Sequence, residues 1–223
     1  NLELYLQPVW DLSTFESGTL NLHSFEALIR WHHAGKLRSP GYFLRYVDTL
    51  GLMPALTDFV VDKAVELSKE WDVKIAVNVP PTMNSDALFA LFSRISDENL
   101  AVEITENAAT GIAEKYLPTS LELIIDDFGT GESNFRRIID IKDLISTLKL
   151  DRSIGETVVS HHFVNVARDL NLKVVFEGAE TYEAVKHAHT IGCDLVQGYF
   201  TGKPCPVNEA AEIAANPVIR LTP

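Results

Sequence analysis

The sequence is poor in cysteine and has no long apolar run, and each shortage excludes a class of protein. Two cysteines, Cys193 and Cys205, in a chain of 223 residues do not make a disulfide scaffold, and they do not form a metal-spaced pair. No apolar run approaches the roughly 20 residues that a bilayer span needs, so we expect no membrane insertion by this domain. The composition therefore favours a protein of the reducing cytoplasm.

Positive charge is also scarce. The chain carries 19 Lys and Arg against 31 Asp and Glu, a formal net charge of −12, which argues against DNA binding because a nucleic-acid backbone requires a basic face. A small phosphorylated ligand stays compatible with this charge, since metal ions can reverse the local sign of an acidic pocket. The N-terminus has neither an initiator Met nor a signal peptide, so we expect one domain, 1–223, excised from a longer multidomain protein.

Apolar, β-branched runs alternate with helical patterns along the whole chain. The predicted strands are 3–9, 22–30, 73–79, 100–105, 121–126, 145–150, 172–177 and 193–199. Helices are predicted from Ser39-Pro40 onward and over 54–70, 84–95, 133–141, 156–170, 181–191 and 207–215. This alternation favours an α/β barrel of eight strands. The link between the first two strands has no helical pattern, so we expect a hairpin there and one antiparallel strand in an otherwise parallel barrel.

Polar side chains interrupt the apolar runs near the ends of seven successive predicted strands. They are Glu26 and Arg30, Asn78, Glu103 and Glu106, Asp126 and Asp127, Lys149 and Asp151, Glu177, and Gln197. Because chemistry in such barrels collects at the carboxyl ends of the strands, these side chains are expected to converge. Clustered carboxylates need a counter-charge, and an all-oxygen donor set favours Mg²⁺, Mn²⁺ or Ca²⁺ over zinc.

The pair Asp126-Asp127 precedes the turn Phe128-Gly129-Thr130-Gly131. One of these carboxylates could bridge two metal ions, the arrangement used for in-line phosphoryl displacement. An ordinary turn explains the same residues equally well. Lys149 has a structural alternative too, in which it only forms a salt bridge with Glu177 or Asp127.

The ordered motifs resemble a known family. The run Glu26-Ala27-Leu28-Ile29-Arg30-Trp31 is similar to the signature of the EAL domain, the bacterial phosphodiesterase domain of cyclic di-GMP. The other matching motifs are Gln7-Pro8, Asn78-Val79, Glu103-Ile104-Thr105-Glu106, Asp126 to Gly131, Lys149-Leu150-Asp151, Glu177 to Thr181 and Gln197-Gly198-Tyr199. The resemblance implies a modified TIM-type (β/α)8 barrel with an antiparallel first strand, and hydrolysis of cyclic di-GMP to linear pGpG.

The resemblance also implies roles for individual residues. Glu26, Asn78, Glu103 and Asp126 would hold one Mg²⁺ or Mn²⁺, and Asp126 with Asp127 a second. Lys149 and Glu177 would serve catalysis, with Lys149 orienting or deprotonating the attacking water. Arg30 would grip a phosphate, Gln7, Leu28 and Gln197 would complete the substrate site, and Glu106 and Glu180 would anchor the loop at 128–134. A homodimer and an upstream sensory or regulatory domain are expected partners, and Ca²⁺ is expected to inhibit.

Three departures from the family pattern bear on turnover. Glu132-Ser133-Asn134 stands where Tyr-Ser-Ser is usual, Pro80-Pro81 follows Asn78-Val79, and Phe176 replaces a usual Ala. None removes an expected metal ligand or Lys149. The alternative functions are a cyclic di-GMP receptor that binds without cleaving, and an acid-lined metal barrel acting on another phosphoester.

Overall fold

The structure is a computed structural model that describes residues 1–80, 82–83, 85–95, 99–105, 121–128 and 135–222. Within these ranges the side chains of Ser85, Asp127 and residues 135–137 are not described. The described strands are β1 (Leu2–Asp11), β2 (Thr19–His33), β3 (Lys36–Arg38), β4 (Lys74–Asn78), β5 (Leu100–Thr105), β6 (Glu122–Phe128), β7 (Thr147–Leu150), β8 (Lys173–Phe176), β9 (Leu195–Val196), β10 (Cys205–Pro206) and β11 (Val218–Arg220).

The described helices surround these strands. They are α1 (Pro40–Thr49), α2 (Met53–Trp71), α3 (Ser85–Ile95), α4 (Phe135–Ile141), α5 (Arg152–Gly155), α6 (Ser160–Asp169), α7 (Tyr182–Ile191) and α8 (Val207–Ala215), with a short 3₁₀ turn at Phe15–Ser17. Within the described ranges, no helix combines the length and the apolar character that a membrane crossing requires.

Eight strands close into a barrel in the order β1-β2-β4-β5-β6-β7-β8-β9, with β9 pairing back to β1. Strand β1 is antiparallel to both of its neighbours in the ring, and the other ring pairs are parallel. The barrel and its antiparallel first strand are thus confirmed. The hairpin arises because the segment that links β1 and β2, residues 12–18, is too short for a crossover helix.

Strand β2 is longer than the predicted 22–30. Its pairing with β4 ends at Ala27, and beyond that point β2 continues beside β1 and β3 as far as His33. Glu26 therefore lies in the middle of its strand and not at the end, which corrects the prediction. The hairpin rises above the barrel rim, so that Arg30 stands higher than the rest of the predicted ring.

An apolar layer fills the barrel below the polar side chains. Two small buried clusters, Val9-Val175-Leu195 and Ala76-Ala101-Ile124, line the interior beneath Glu103 and Lys149. Each of these residues lies two positions along its strand from a polar residue of the site. Side chains two apart on a strand share a face, so the apolar residues form the layer beneath the polar ones. This floor separates the polar ring from water on the opposite side of the barrel and lowers its dielectric.

Candidate active site

Lys149 stands at the centre of the acidic ring. Its Nζ lies 3.3 Å from Glu26 Oε2, 3.1 Å from Glu103 Oε2, 3.0 Å from Asp126 Oδ1 and 2.9 Å from Glu177 Oε1. The side chain is only 3% exposed. Four strands of the barrel and the turn after β8 thus supply five charged groups to one point, as the strand-end pattern predicts.

The carboxylates and Lys149 set one another's protonation. Burial by itself would lower the pKa of Lys149, but Glu103, Glu26, Glu177 and Asp126 raise it well above its ordinary value. Without a metal, Lys149 is therefore held as an ammonium. The charges around Nζ are negative, and they favour its charged form.

One ammonium does not neutralise four carboxylates, and two of the four acids have a raised pKa. Burial, with Glu26 nearby, raises the pKa of Glu103 well above its ordinary value despite Lys149. Burial also raises the pKa of Glu177 to about 7, against the pull of Lys149. Glu26 behaves oppositely: burial works to raise its pKa, but Lys149 and two amide hydrogen bonds bring it below its ordinary value. Glu103 and Glu177 therefore hold their protons to higher pH than free carboxyl groups do.

Two amides fix the orientation of Glu26. Asn78 Nδ2 donates to Glu26 Oε1 over 2.9 Å, and Gln197 Nε2 donates to Glu26 Oε2 over 2.8 Å. The other amide atom of Gln197, Oε1, is buried and has no hydrogen-bond partner. Gly198 allows this placement, because a Cβ there would lie 2.1 Å from the carbonyl oxygen of Ala179.

The donor set fits a hard divalent cation. Carboxylate oxygens, the amide of Asn78 and the unpartnered Gln197 Oε1 are the oxygen ligands that Mg²⁺ and Mn²⁺ prefer. No three Asp, Glu, His or Cys side chains among the described residues are grouped into a ready metal site. Lys149 Nζ occupies the point where the four carboxylates converge.

A cavity of about 530 Å³ opens beside the ring. Glu26, Asn78 and Asp126 line it on the barrel side, and Leu28 lines it higher on β2. Its opposite wall comes from α1 and α2. The volume lies in the range of small-molecule sites, so the acidic ring adjoins a space of ligand size.

The remaining expected substrate residues lie on the face of the hairpin that carries Glu26. Gln7 is paired in register with Glu26, and its Nε2 donates to the carbonyl oxygen of Gly202 over 3.1 Å. The half-buried Arg30 donates from Nη1 to the carbonyl oxygen of Ile29 over 3.0 Å, and its Cζ lies 5.7 Å from the centroid of the Tyr5 ring. Neither Gln7 nor Arg30 lines the 530 Å³ cavity.

Of three further expected residues, one lies apart from the ring, and the side chains of the other two are outside the described set. Glu180 is exposed and forms an ion pair with Arg152, Oε2 to Nη1 at 2.9 Å. The backbone of Asp127 belongs to β6, but its side chain is outside the described set. Glu106 and the loop residues 129–134 also lie outside the described residues, so the second metal and the loop anchor stay predictions.

Sequence reasoning missed the contribution of α1. Arg45 and Asp48, three residues apart on that helix, line the same cavity as Glu26 and Asn78. The sequence holds a faint signal for this, since both charges interrupt the apolar pattern of Phe43, Leu44 and Val47 on one side of the helix.

Comparisons with known proteins agree with the geometry. The chain is 30% identical over 214 residues to the bifunctional diguanylate cyclase/cyclic di-GMP phosphodiesterase MucR of Pseudomonas aeruginosa, covering 82% of this chain and 31% of that protein. A solved c-di-GMP complex of the PaMucR phosphodiesterase is 29% identical with a TM-score of 0.78, covering 94% of each chain. An EAL domain protein from Listeria monocytogenes EGD-e shares the fold at a TM-score of 0.84 and 24% identity, covering 96% of this chain and 93% of that one.

The chain spans about a quarter to a third of the length of the curated relatives it matches. Residues 1–204 match the EAL domain family as a whole. With the barrel, the antiparallel first strand and the acidic ring in place, this chain belongs to the EAL domain family.

Proposed function

We propose that this domain is a metal-dependent phosphodiesterase that hydrolyses cyclic di-GMP to linear pGpG. The observation that carries the proposal is the convergence of Glu26, Glu103, Asp126 and Glu177 on Lys149 next to a cavity of ligand size. Hydrolysis of a phosphodiester requires an activated water and stabilisation of charge on the phosphoryl oxygens, and this site offers groups for both.

The proposed ligands of the first Mg²⁺ or Mn²⁺ are Glu26, Asn78, Glu103 and Asp126. Asp126 and Asp127 are proposed for a second ion, with Glu177 and Gln197 in support. When bound, such ions lower the pKa of water and neutralise phosphoryl oxygens. The raised pKa values of Glu103 and Glu177 support this assignment, because both acids bind protons that a divalent cation would displace.

The chain's own side chains position the reactants. Lys149 Nζ, held as an ammonium by the carboxylates, donates a hydrogen bond to the attacking water, and it becomes a base only where added positive charge lowers its pKa. Asn78 and Gln197 fix the orientation of Glu26. Arg30 presents a planar pair of donors that suits a phosphate. The apolar floor below Glu103 excludes water from the opposite side.

A product assay tests this function. Purified protein is incubated with cyclic di-GMP and Mg²⁺ or Mn²⁺, and the nucleotides are separated by chromatography. Linear pGpG is expected from the wild type and from the exposed controls Glu212→Ala and Lys186→Ala, but not from Glu26→Ala or Lys149→Ala. Ca²⁺ is expected to permit binding and block turnover, because it tolerates longer and less regular coordination.

Two other outcomes would replace the proposal. Binding of cyclic di-GMP without turnover in any of these metals identifies a receptor. Binding of neither nucleotide nor metal removes both functions.

We further propose that the domain acts in the cytoplasm within a longer protein, as a homodimer under an upstream sensory or regulatory domain; light scattering of the longest natural form tests the dimer.

A further inference from the structure

A second cavity, of about 450 Å³, lies on the side of α1 that faces away from the acidic ring. We call it the aromatic groove, and the residues that define it are Leu2, Trp31, His33, Tyr42, Tyr46 and Leu50. At 3.6 residues per turn, the residues of α1 that line this groove and those that line the cavity beside the ring lie on opposite sides of the helix. The groove is therefore a separate surface of the domain.

The aromatic groove is open to solvent although its walls are apolar. Leu2, Tyr42, Tyr46 and Leu50 are 40–70% exposed, whereas Phe43 beneath them is buried. An exposed apolar patch with a polar rim is typical of an interaction site, because its burial releases water from apolar surface. The groove thus has a packed floor and accessible walls.

The rim of the groove is positively charged. Strand β3 pairs with the end of β2, so that Arg38 lies opposite Trp31 and Lys36 lies opposite His33. Residues directly opposite each other in an antiparallel pair share a face of the sheet, so both cations are on the groove side. The guanidinium of Arg38 stacks on the ring of Tyr42, with Cζ 4.4 Å from the ring centroid. Among the described residues, no acidic side chain lines the groove.

The two rim cations have no acidic partner. Within the described chain neither Lys36 nor Arg38 forms an ion pair, and Arg38 Nε is buried without a hydrogen-bond partner. The chain as a whole carries a net charge of −12, so this rim is a local reversal of sign. At physiological ionic strength, exposed charges farther apart than about 8 Å are largely screened from each other. A ligand confined to the groove therefore interacts with the rim cations more than with the acidic surface elsewhere.

We propose that the aromatic groove docks a protein segment that carries both apolar and acidic side chains. The apolar side chains of the segment fill the groove, and its carboxylates pair with Arg38 and Lys36. A nucleic acid or an anionic membrane extends far beyond the groove and meets the rest of the acidic surface, which disfavours both. The inference does not depend on the proposed function, because none of the groove residues belongs to the acidic ring.

A peptide library tests the chemistry of the occupant. Random peptides of about 15 residues, enough for about four turns of helix, are displayed on phage and selected on the immobilised wild-type domain and, in parallel, on Leu50→Ser. Peptides enriched on the wild type alone are synthesised with a fluorescent label, and their Kd values are measured by fluorescence anisotropy. We expect these peptides to combine large apolar residues with an excess of Asp and Glu over Lys and Arg.

Variants separate the apolar contribution from the charged one. Leu50→Ser is expected to raise the Kd by about tenfold or more, the value of burying one leucine side chain. Reversal of both rim charges, Lys36→Glu with Arg38→Glu, is expected to raise it by about tenfold, and Lys36→Glu alone by about threefold. Because Lys36 is exposed, the single variant keeps the test valid if loss of the Arg38 stacking impairs folding. The matched controls at exposed positions, which should leave the Kd unchanged, are Val218→Ser and the double variant Lys186→Glu with Arg220→Glu.

Circular dichroism checks that each variant is folded, and the outcomes are distinct. Enriched peptides without an acidic excess overturn the proposal, as does the lack of any enrichment on the wild type relative to Leu50→Ser. An unchanged Kd in folded Leu50→Ser or in folded Lys36→Glu also overturns it.

Two further measurements distinguish other occupants of the groove. Binding to vesicles of phosphatidylcholine and phosphatidylserine that is lost in Leu50→Ser identifies a membrane surface and overturns the proposal. Self-association that is lost in Leu50→Ser identifies a second copy of the chain and overturns it too. Acidic, apolar peptides that bind the wild type and the control variants, and bind the groove and rim variants more weakly, support the docking site.

Discussion

The ammonium of Lys149 lies 2.9 Å from a carboxylate oxygen of Glu177; the Lys149 side chain is 3% exposed and that of Glu177 is 18% exposed. Three further carboxylates surround the same nitrogen. Lys149 is thus the central counter-ion of the ring as well as the proposed partner of the attacking water. Removal of its charge must therefore affect stability as well as turnover.

The variant Lys149→Met tests this double role, because methionine keeps the length of the chain and loses the charge. We expect the free energy of unfolding to fall by about 3–5 kcal/mol in metal-free buffer at pH 7, the cost of leaving buried charges unpaired. Turnover should fall by at least about 100-fold. Urea denaturation and initial rates provide the measurements. Equal stability of Lys149→Met and the exposed control Lys186→Met would contradict the counter-ion role.

The pKa of Glu177 predicts how stability depends on pH. Burial raises this pKa from its ordinary 4.5 to about 7 in the folded protein. Between these values the folded state binds more protons at Glu177 than the unfolded state does, so the free energy of unfolding must fall as the pH rises from about 4.5 to 7. Glu103 contributes in the same direction, since its pKa is raised as well.

We therefore expect Glu177→Gln to reduce this slope in metal-free protein without removing it. Urea denaturation at intervals between pH 5 and pH 8 measures the slope, and the exposed variant Glu183→Gln is the control. A slope in Glu177→Gln as steep as that of the wild type would show that Glu177 is ionised throughout this range. Saturating Mg²⁺ should flatten the dependence of wild-type stability on pH, because a bound cation displaces protons from the carboxylates.

Much of the barrel was predictable because its signals are local. The strand at 100–105 was predicted with the bounds the structure gives, since its run of buried residues has polar residues on both sides. The antiparallel β1 followed from the missing helix between the first two strands. In contrast, only Leu195 and Val196 of the predicted strand 193–199 belong to β9. The chain leaves the sheet after Val196, because Gln197 and Gly198 turn toward Ala179.

The short strands β3, β10 and β11 were not predicted, because two or three residues carry too little periodicity. At the site, the sequence predicted which polar residues gather but not their arrangement. That Lys149 touches four carboxylates depends on the closure of the barrel, which brings together residues separated by as many as 123 positions. The part of α1 in the cavity wall depends likewise on helix packing, for which its sequence holds only a faint signal.

Gly155 and Phe176 form a packing pair. A Cβ on Gly155 would lie 2.5 Å from Cε2 of Phe176, whose ring is completely buried. The carbonyl oxygen of Gly155 also lies 2.8 Å from His187 Nε2, so α5 cannot move away freely. A glycine at 155 is thus what makes room for the phenylalanine at 176.

A double-mutant cycle tests the pair. Gly155→Ala alone should destabilise the domain by about 1–3 kcal/mol through overpacking, and Phe176→Ala alone by about 3–5 kcal/mol through the cavity it leaves. The double variant should be more stable than the sum predicts, because the new methyl group enters the space of the ring. Thermal and urea denaturation give the values. Additive effects would show that the two positions are independent.

Arg30 provides a test of phosphate binding that is separate from the acidic ring. It stands above the barrel rim on β2, half-buried, and its one hydrogen bond within the described chain is to the adjacent carbonyl oxygen of Ile29. Burial lowers its pKa somewhat, but Tyr199, Glu26 and Tyr5 oppose this effect, so the guanidinium stays charged at neutral pH. The guanidinium can therefore donate hydrogen bonds to a substrate phosphate.

Arg30→Lys keeps the positive charge and loses the paired geometry of the guanidinium. We expect the KM for cyclic di-GMP to rise by about tenfold while the melting temperature stays within about 2 °C of the wild type, since Arg30 contributes little to packing. A fall in kcat with an unchanged KM would instead place Arg30 in the reaction step. Arg220→Lys, an exposed arginine on β11, is the matched control and should leave both constants unchanged.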